Sequence, residues 1–302
     1  MDKRISNTKQ LCEALRVTAS EGREKGAELI YCSNGVLNFV LSASNSLDIL
    51  RLWHRGTNIG FLSKNGLYTP RDAFPHTFPG GMLYTCGLDN IGDREGFPVH
   101  GRMHNIPADV REIRADETGI RIVGEIVAAS LFGENLRTVR TVETACGSGK
   151  VTVTDEIHND AFREENYCVL YHVNAGYPMI DDGAEIFGDF AESTARTSWA
   201  EKHKGDMLRI TPPIDNMEET CYFHRMDRPR VGVLNRKLGK KLELRYSGDT
   251  LPYLIEWKSM ASGDFALGLE PATSWLDGHF SYRTVKAGET VVNRIEIEIS
   301  DV

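Results

Sequence analysis

The chain predicts an all-β fold, a large antiparallel β-sandwich, and three features of the sequence lead there. Runs of residues alternate apolar and polar at a period of two, the pattern of strands with one face in a core and one in water. Turn signals rich in glycine separate those runs. No helical pattern alternates with them, as it would in a parallel α/β sheet.

Taken in order, the runs at 35–42, 120–127, 150–157, 241–246 and 290–299 each read as a half-buried strand. The turn signals at 116–119, 147–149, 237–239 and 286–288 each contain glycine. Residues 7–24 and 192–204 have too little periodicity to assign as helix. No repeat, linker or shift in composition divides the chain, so 1–302 is read as one domain, with the more weakly patterned 1–34 as an N-terminal extension.

Of 302 residues, 41% are hydrophobic and 26% charged. A chain of that size buries about three-quarters of its unfolded surface. The net charge of −8 speaks against a phosphate-tracking surface. The densest basic run, Arg236, Lys237, Lys240 and Lys241, contains a Leu238-Gly239 step and reads as a hairpin tip. Six cysteines, at 12, 32, 86, 146, 168 and 221, form no CxxC pair and are expected as free thiols. The first residues lack the apolar stretch of a signal peptide, and no run approaches the about 18 apolar residues of a membrane span. A cytoplasmic protein is the expectation.

Four segments break the alternation and gather polar residues, and in an all-β frame such loops carry function. Residues 79–90 begin Pro79-Gly80-Gly81, which reads as a bulge before a strand, with Tyr84, Asp89 and Asn90 as candidate cavity-lining groups. Residues 96–108 place His100, Arg102 and His104 at two-residue steps, so in a strand all three would share one face. Three such donors are costly to bury unless an anion or several hydroxyl groups meet them. The His100–His104 spacing also occurs in metal sites. At 167–178, an apolar strand carries His172 and, on the same face, Asn174. Taken alone, His172 also fits a core histidine satisfied by the backbone. At 265–275, Glu270 stands between Leu269 and Pro271, where desolvation would raise its pKa and make it a better base; pairing with Lys258 or an arginine is the alternative.

Together these motifs resemble the galactose mutarotase (aldose 1-epimerase) superfamily, over residues 35–302. The elements that carry the likeness are Val99-His100-Gly101, Leu170-Tyr171-His172-Val173-Asn174 and Gly268-Leu269-Glu270-Pro271, in that order. The stretch from His100 to Ala108 is closer to a less-characterised epimerase-like branch of unknown function. The resemblance implies a large β-sandwich that interconverts sugar anomers without a cofactor. It makes His172 the general acid, Glu270 the general base and His100 a substrate-binding residue. Arg102, His104, Asn174, His224 and Asp227 are further candidates for binding substrate. One step departs from the family: Tyr222-Phe223-His224 stands where a Tyr-Asp-His-like step is expected, which implies altered specificity.

On this reading Glu270 and His172 work from opposite sides of the anomeric carbon, and Trp257 or Trp275 could stack on the sugar. No metal or other cofactor is implied. The partner is a small-molecule carbohydrate, free or acidic, with no nucleic acid and no membrane; a homodimer stays open. Two rivals remain. One is a metal-dependent isomerase or lyase on a cupin-like barrel, with His100, His104, His172 and Glu270 as ligands. The other is a non-catalytic sugar-binding module.

Overall fold

In the computed structural model, which describes residues 3–67, 72–277 and 280–302, each of the five alternating runs is a strand. The first sheet is a five-stranded antiparallel meander: β1 (Glu13–Thr18), β2 (Glu28–Ser33), β3 (Leu37–Ser42), β4 (Asp48–His54) and β5 (Thr57–Asn58). The 1–34 segment, expected as an extension, thus supplies two strands of this sheet, and Cys12, Ile30 and Cys32 join the main core.

The second sheet has thirteen antiparallel strands. They are β6 (Tyr84–Leu88), β7 (Asp109–Asp116), β8 (Gly119–Ala129), β9 (Asn135–Ala145), β10 (Lys150–Asn159), β11 (Glu165–Gly176), β12 (Glu185–Ala195), β13 (Thr220–Asn235), β14 (Lys240–Tyr246), β15 (Tyr253–Ala261), β16 (Asp264–Ala272), β17 (Arg283–Val285) and β18 (Thr290–Asp301). Their spatial order is β17-β11-β16-β15-β13-β14-β18-β10-β9-β8-β7, with β6 added beside β11 and β12 beside β13. The expected turns close the β7–β8, β9–β10 and β13–β14 hairpins and precede β18. Helix is confined to single turns such as α1 (Phe74–Thr77) and α2 (Ser198–Lys202). No helix among the described residues is long and apolar enough to cross a membrane. All six cysteines are free thiols.

One apolar cluster joins the sheets. Leu37, Phe39 and Ile49 of the first pack in it with Ile122, Val142 and Val153 of the second, all at most 1% exposed. Each such side chain contributes about 1.5–3 kcal/mol of burial free energy. A buried charge ties the same layers together. Arg140 on β9 is fully buried and grips Asp155 on β10 with two hydrogen bonds of 2.8 and 2.7 Å. It also donates to Asp48 on β4 at 2.7 Å and to Thr85 on β6 at 3.0 Å. Tyr171 on β11 completes the network by donating to Asp155 at 2.8 Å. Thr85 and Tyr171 each sit next in sequence to a residue of the site described below, so this network sets the position of β6 and β11.

Candidate active site

The site is laid out by strand register. Val173 of β11 pairs with Leu269 of β16, and Leu170 with Ala272, so His172 and Glu270 come level one step away. On the other side of β11, Tyr84 of β6 is level with His172. Across β16, Glu270 is level with Ile255 of β15, Ile255 with Phe223 of β13, and Phe223 with Thr194 of β12. Directly opposed residues in an antiparallel sheet share a face. One row thus runs from Tyr84 through His172, Glu270, Ile255 and Phe223 to Thr194. The neighbouring row on this face holds Gly268, Trp257 and Cys221.

His172 and Glu270 are in direct contact, Nε2 to Oε1 at 3.2 Å, and both are nearly inaccessible to solvent. Glycine at 268 makes this possible. A Cβ there would collide with Glu270 Oε1 and come within 2.9 Å of the His172 ring. Neither His172 Nδ1 nor Glu270 Oε1 has a hydrogen-bond partner. Burial raises the Glu270 carboxyl well above its usual range, Glu219 adding to the effect and Arg196 opposing it. Burial, with His100 nearby, pushes His172 down to about 3. Both directions favour the uncharged pair, a protonated carboxyl beside a neutral imidazole.

The pair lines a cavity of about 530 Å³, within the usual range for a small-molecule site. His100 lines it as well, its ring 6.0 Å from that of His172. Its Nδ1 is 2.9 Å from the carbonyl of Ile91, so that nitrogen donates and Nε2 is left as an acceptor. Trp257 stands edge-on to His172 at 5.5 Å, its indole N–H held by Glu219 at 2.7 Å. Arg196 lines the cavity while paired with Asp277 at 2.8 Å, and Lys64 while paired with Asp264 at 2.7 Å. Cys221 is also on the wall, but burial pushes its thiol up, which leaves it a poor nucleophile.

The other expected residues are not brought together here. His100, Arg102 and His104 do not form a strand. His100 and Gly101 have φ of +66° and +79°, and Met103–Asn105 is a 3-10 turn, so the two-residue alternation is lost. A Cβ at 101 would strike the carbonyl oxygens of Gly87 and Asn90, so only glycine fits that turn. The three side chains therefore diverge. Arg102 is paired with Asp89 and Glu134 at 2.5 and 2.7 Å, in a separate surface depression. His104 stacks on Tyr84 at 4.3 Å and faces a different cavity of about 380 Å³. Asn90 is buried and holds its own loop through Gly92 and Pro98.

Asn174 is fully buried, its amide donating to the carbonyls of Gly81 and His172, so it supports the histidine from behind and does not line the cavity. His224 lies on the opposite face of β13 from Phe223, with Ser193 at 2.8 Å and Glu256 at 3.3 Å. Asp227 is exposed farther along β13. Trp275 stacks on Phe223 outside the cavity, whereas Trp257 is on its wall. The expected opposite placement of His172 and Glu270 is also corrected, because cross-strand neighbours in contact cannot bracket a ring. Sequence reasoning missed Arg196, Glu219 and the role of Gly268; only Gly268, two residues before Glu270 on the same face, carried a signal.

The ligand set of the cupin-like alternative is dispersed, since His104 opens into the other cavity and the sheets form an open sandwich. Among the described residues, no three His, Cys, Asp or Glu side chains are close enough to hold a metal ion.

Comparison with known proteins fits this architecture. The family model described as a domain of unknown function, DUF4432, matches residues 24–298. No curated protein sequence matches the chain significantly. Among solved structures, a candidate aldose 1-epimerase from Klebsiella pneumoniae superposes with a TM-score of 0.85 at 18% identity, covering 96% of this chain and 88% of that one. A galactose mutarotase-like protein from Clostridium acetobutylicum superposes with a TM-score of 0.70 at 13% identity, covering 97% and 100%. A candidate mutarotase from Salmonella typhimurium gives 0.70 at 10% identity, covering 95% and 93%. The chain belongs to the DUF4432 family, a branch of unknown function built on the aldose 1-epimerase and galactose mutarotase fold.

Proposed function

We propose that this protein is an isomerase of the aldose 1-epimerase type, which interconverts the anomers of a free sugar with Glu270 and His172 as its acid–base pair. The observation that carries this reading is a buried carboxyl and imidazole at 3.2 Å, each with an unsatisfied polar atom, on the wall of a cavity that Phe61, Phe74, Phe78 and Trp257 also line. Buried polar atoms without partners are rare and call for a reason. A substrate that brings its own donors and acceptors provides one.

The chemistry follows from the uncharged state of the pair. The C1 hydroxyl and the ring oxygen of a cyclic sugar are bonded to one carbon, so both can insert where the two side chains now touch. Burial favours a start with the proton on Glu270. Glu270 donates it to the ring oxygen, His172 accepts the proton of the C1 hydroxyl, the C1–O5 bond breaks and the aldehyde forms. That leaves a carboxylate beside an imidazolium. After rotation about C1–C2, the same two transfers run backwards and close the other anomer. Each group gives and takes a proton once per turnover, and the order of roles implied by the resemblance is inverted in both the opening and the closing half. Such acid–base assistance contributes about 10²–10⁴-fold. His100 Nε2 would accept from a sugar hydroxyl, and Trp257 would border the ring.

The substrate is read as a neutral sugar. Lys64 and Arg196 each have a carboxylate partner already, and Asp93 and Glu219 add negative charge to the lining. A phosphate or sugar acid would have to displace those partners.

Anomer exchange, followed by NMR or polarimetry on a panel of free aldoses, tests the proposal. Glu270→Gln should abolish the protein-dependent rate with an unchanged circular dichroism spectrum. Full activity in the variant would remove Glu270 from its role, and sugar binding with no exchange in the wild type would favour a binding module.

A further inference from the structure

The cavity of about 380 Å³ onto which His104 opens is walled by both sheets. Ser44, Asn45 and Asp48 line it from the connection between β3 and β4, and Tyr84 and His104 from β6 and the turn beyond it. Among the described residues, none lines both this cavity and that of the Glu270–His172 pair. The segment from α1 onward forms the partition: Phe74 and Phe78 line the first cavity, and Thr77, Pro79 and Gly80 line this one. Its size falls within the range of small-molecule sites.

The turn that carries His104 is held against the first sheet. The backbone N–H of Ser46 donates to the carbonyl of Ile106 at 2.9 Å, its hydroxyl donates to the carbonyl of Met103, and the Asn45 amide donates to the carbonyl of His104 at 2.9 Å. The imidazole stacks on Tyr84, is only 7% exposed, and has no hydrogen-bond partner at Nδ1. A buried polar atom left in that state is costly and calls for a reason. Two neighbours also have bonding capacity to spare. Ser44 Oγ accepts from the N–H of Glu28 at 2.9 Å and keeps its own proton to donate. Asn45 Oδ1 accepts from Ser42 at 2.8 Å, so Asn45 retains a second lone pair and a second N–H. Asp48 offers nothing further, because Arg140 and Thr85 already hold it. Burial, with His100 nearby, pushes His104 down to about 3, so its ring is neutral and does not balance an anion. Lys25 and Asp72 add one charge of each sign to the lining, and Leu50 and Leu83 add apolar surface. Such a lining suits a molecule without net charge whose polar groups both donate and accept, which is the chemistry of hydroxyl groups on a small carbon frame.

We propose that this cavity is a second ligand site, separate from the Glu270–His172 pair, which takes a neutral polyhydroxylated molecule of monosaccharide size through His104, Asn45 and Ser44. The site does not depend on the anomerisation reading and is read by binding alone.

Titration with myo-inositol, sorbitol and methyl α-glucoside, none of which has a free anomeric centre, tests the site. NMR on protein isotopically labelled at its histidine nitrogens reports where a probe binds, because His104 lines one cavity and His100 and His172 the other. The His104 ring signal, assigned by its loss in His104→Leu, should shift and saturate with at least one probe. A response to myo-inositol or sorbitol alone identifies a free polyol as the ligand class, and a response to methyl α-glucoside alone identifies a glycoside. In calorimetric titration, Ser44→Leu, which adds bulk at a half-buried position on the wall, should weaken that probe about tenfold, as should His104→Leu. Shifts confined to His100 and His172, no shift with any of the three probes, or an affinity unchanged in Ser44→Leu would overturn the site, and each leaves the anomerisation reading as it stands.

Discussion

Two clusters of buried ionisable groups lie a few residues apart, and they are satisfied to different degrees. Around Arg140, every polar atom of Arg140, Asp48 and Asp155 is matched, and Thr85 and Tyr171 take up the remaining bonding capacity. Around His172 and Glu270, two buried atoms have no partner and a cavity adjoins them. Tyr171 belongs to the first cluster and His172 to the second, on opposite faces of one strand. A complete network serves to hold strands in register, because nothing in it is left to bind. An incomplete one leaves bonding capacity for a ligand, at a cost in stability that the fold tolerates.

The difference can be broken from either side. Replacing Arg140 with Leu leaves two buried aspartates without their cation. This should be the largest stability effect in the molecule, about 3–5 kcal/mol, seen as a lowered urea midpoint. A loss under 1 kcal/mol would mean that the network is not what holds the two sheets together.

A smaller effect is read by pH at Glu270. The folded state holds the Glu270 carboxyl above its unfolded pKa. Its protonated form thus contributes fully below the unfolded value, and stability is lost as pH rises toward the folded value, by about 1.4 kcal/mol per pH unit. Glutamine does not titrate. Glu270→Gln should therefore gain stability relative to wild type as pH rises from 4 to 8, measured by calorimetric Tm. A difference that stays constant across that range would contradict a buried, proton-holding carboxyl. His172 acts in the other direction: its folded pKa of about 3 lies below the unfolded value, so its contribution is lost as pH falls below about 6.5.

How much of this was readable in advance depended on how local the cause is. Strands such as Leu37–Ser42 and Lys150–Asn159 follow from two-residue alternation, which any short window displays. Glu270 stood out because Leu269 and Pro271 flank it. His100, Arg102 and His104 misled because alternation predicts one face only where the backbone is extended. Gly101 is turned into the left-handed region by its fit against the carbonyls of Gly87 and Asn90, a tertiary contact that no local pattern records. The step Tyr222-Phe223-His224 was ambiguous for another reason. Period two says that Phe223 opposes its neighbours, and only the register with Ile255 and Glu270 says that Phe223 faces the site and His224 faces away. Arg196 and Glu219 flank strands distant in sequence and belong to no motif.

The central claim, that the incomplete cluster does the chemistry while the complete one holds the fold, is tested most directly with His172→Gln, assayed for anomer exchange and unfolding midpoint in the same preparation. The account predicts a rate at least about 100-fold lower with a midpoint close to wild type. A variant that keeps its rate, or that loses stability as Arg140→Leu is expected to, would contradict it.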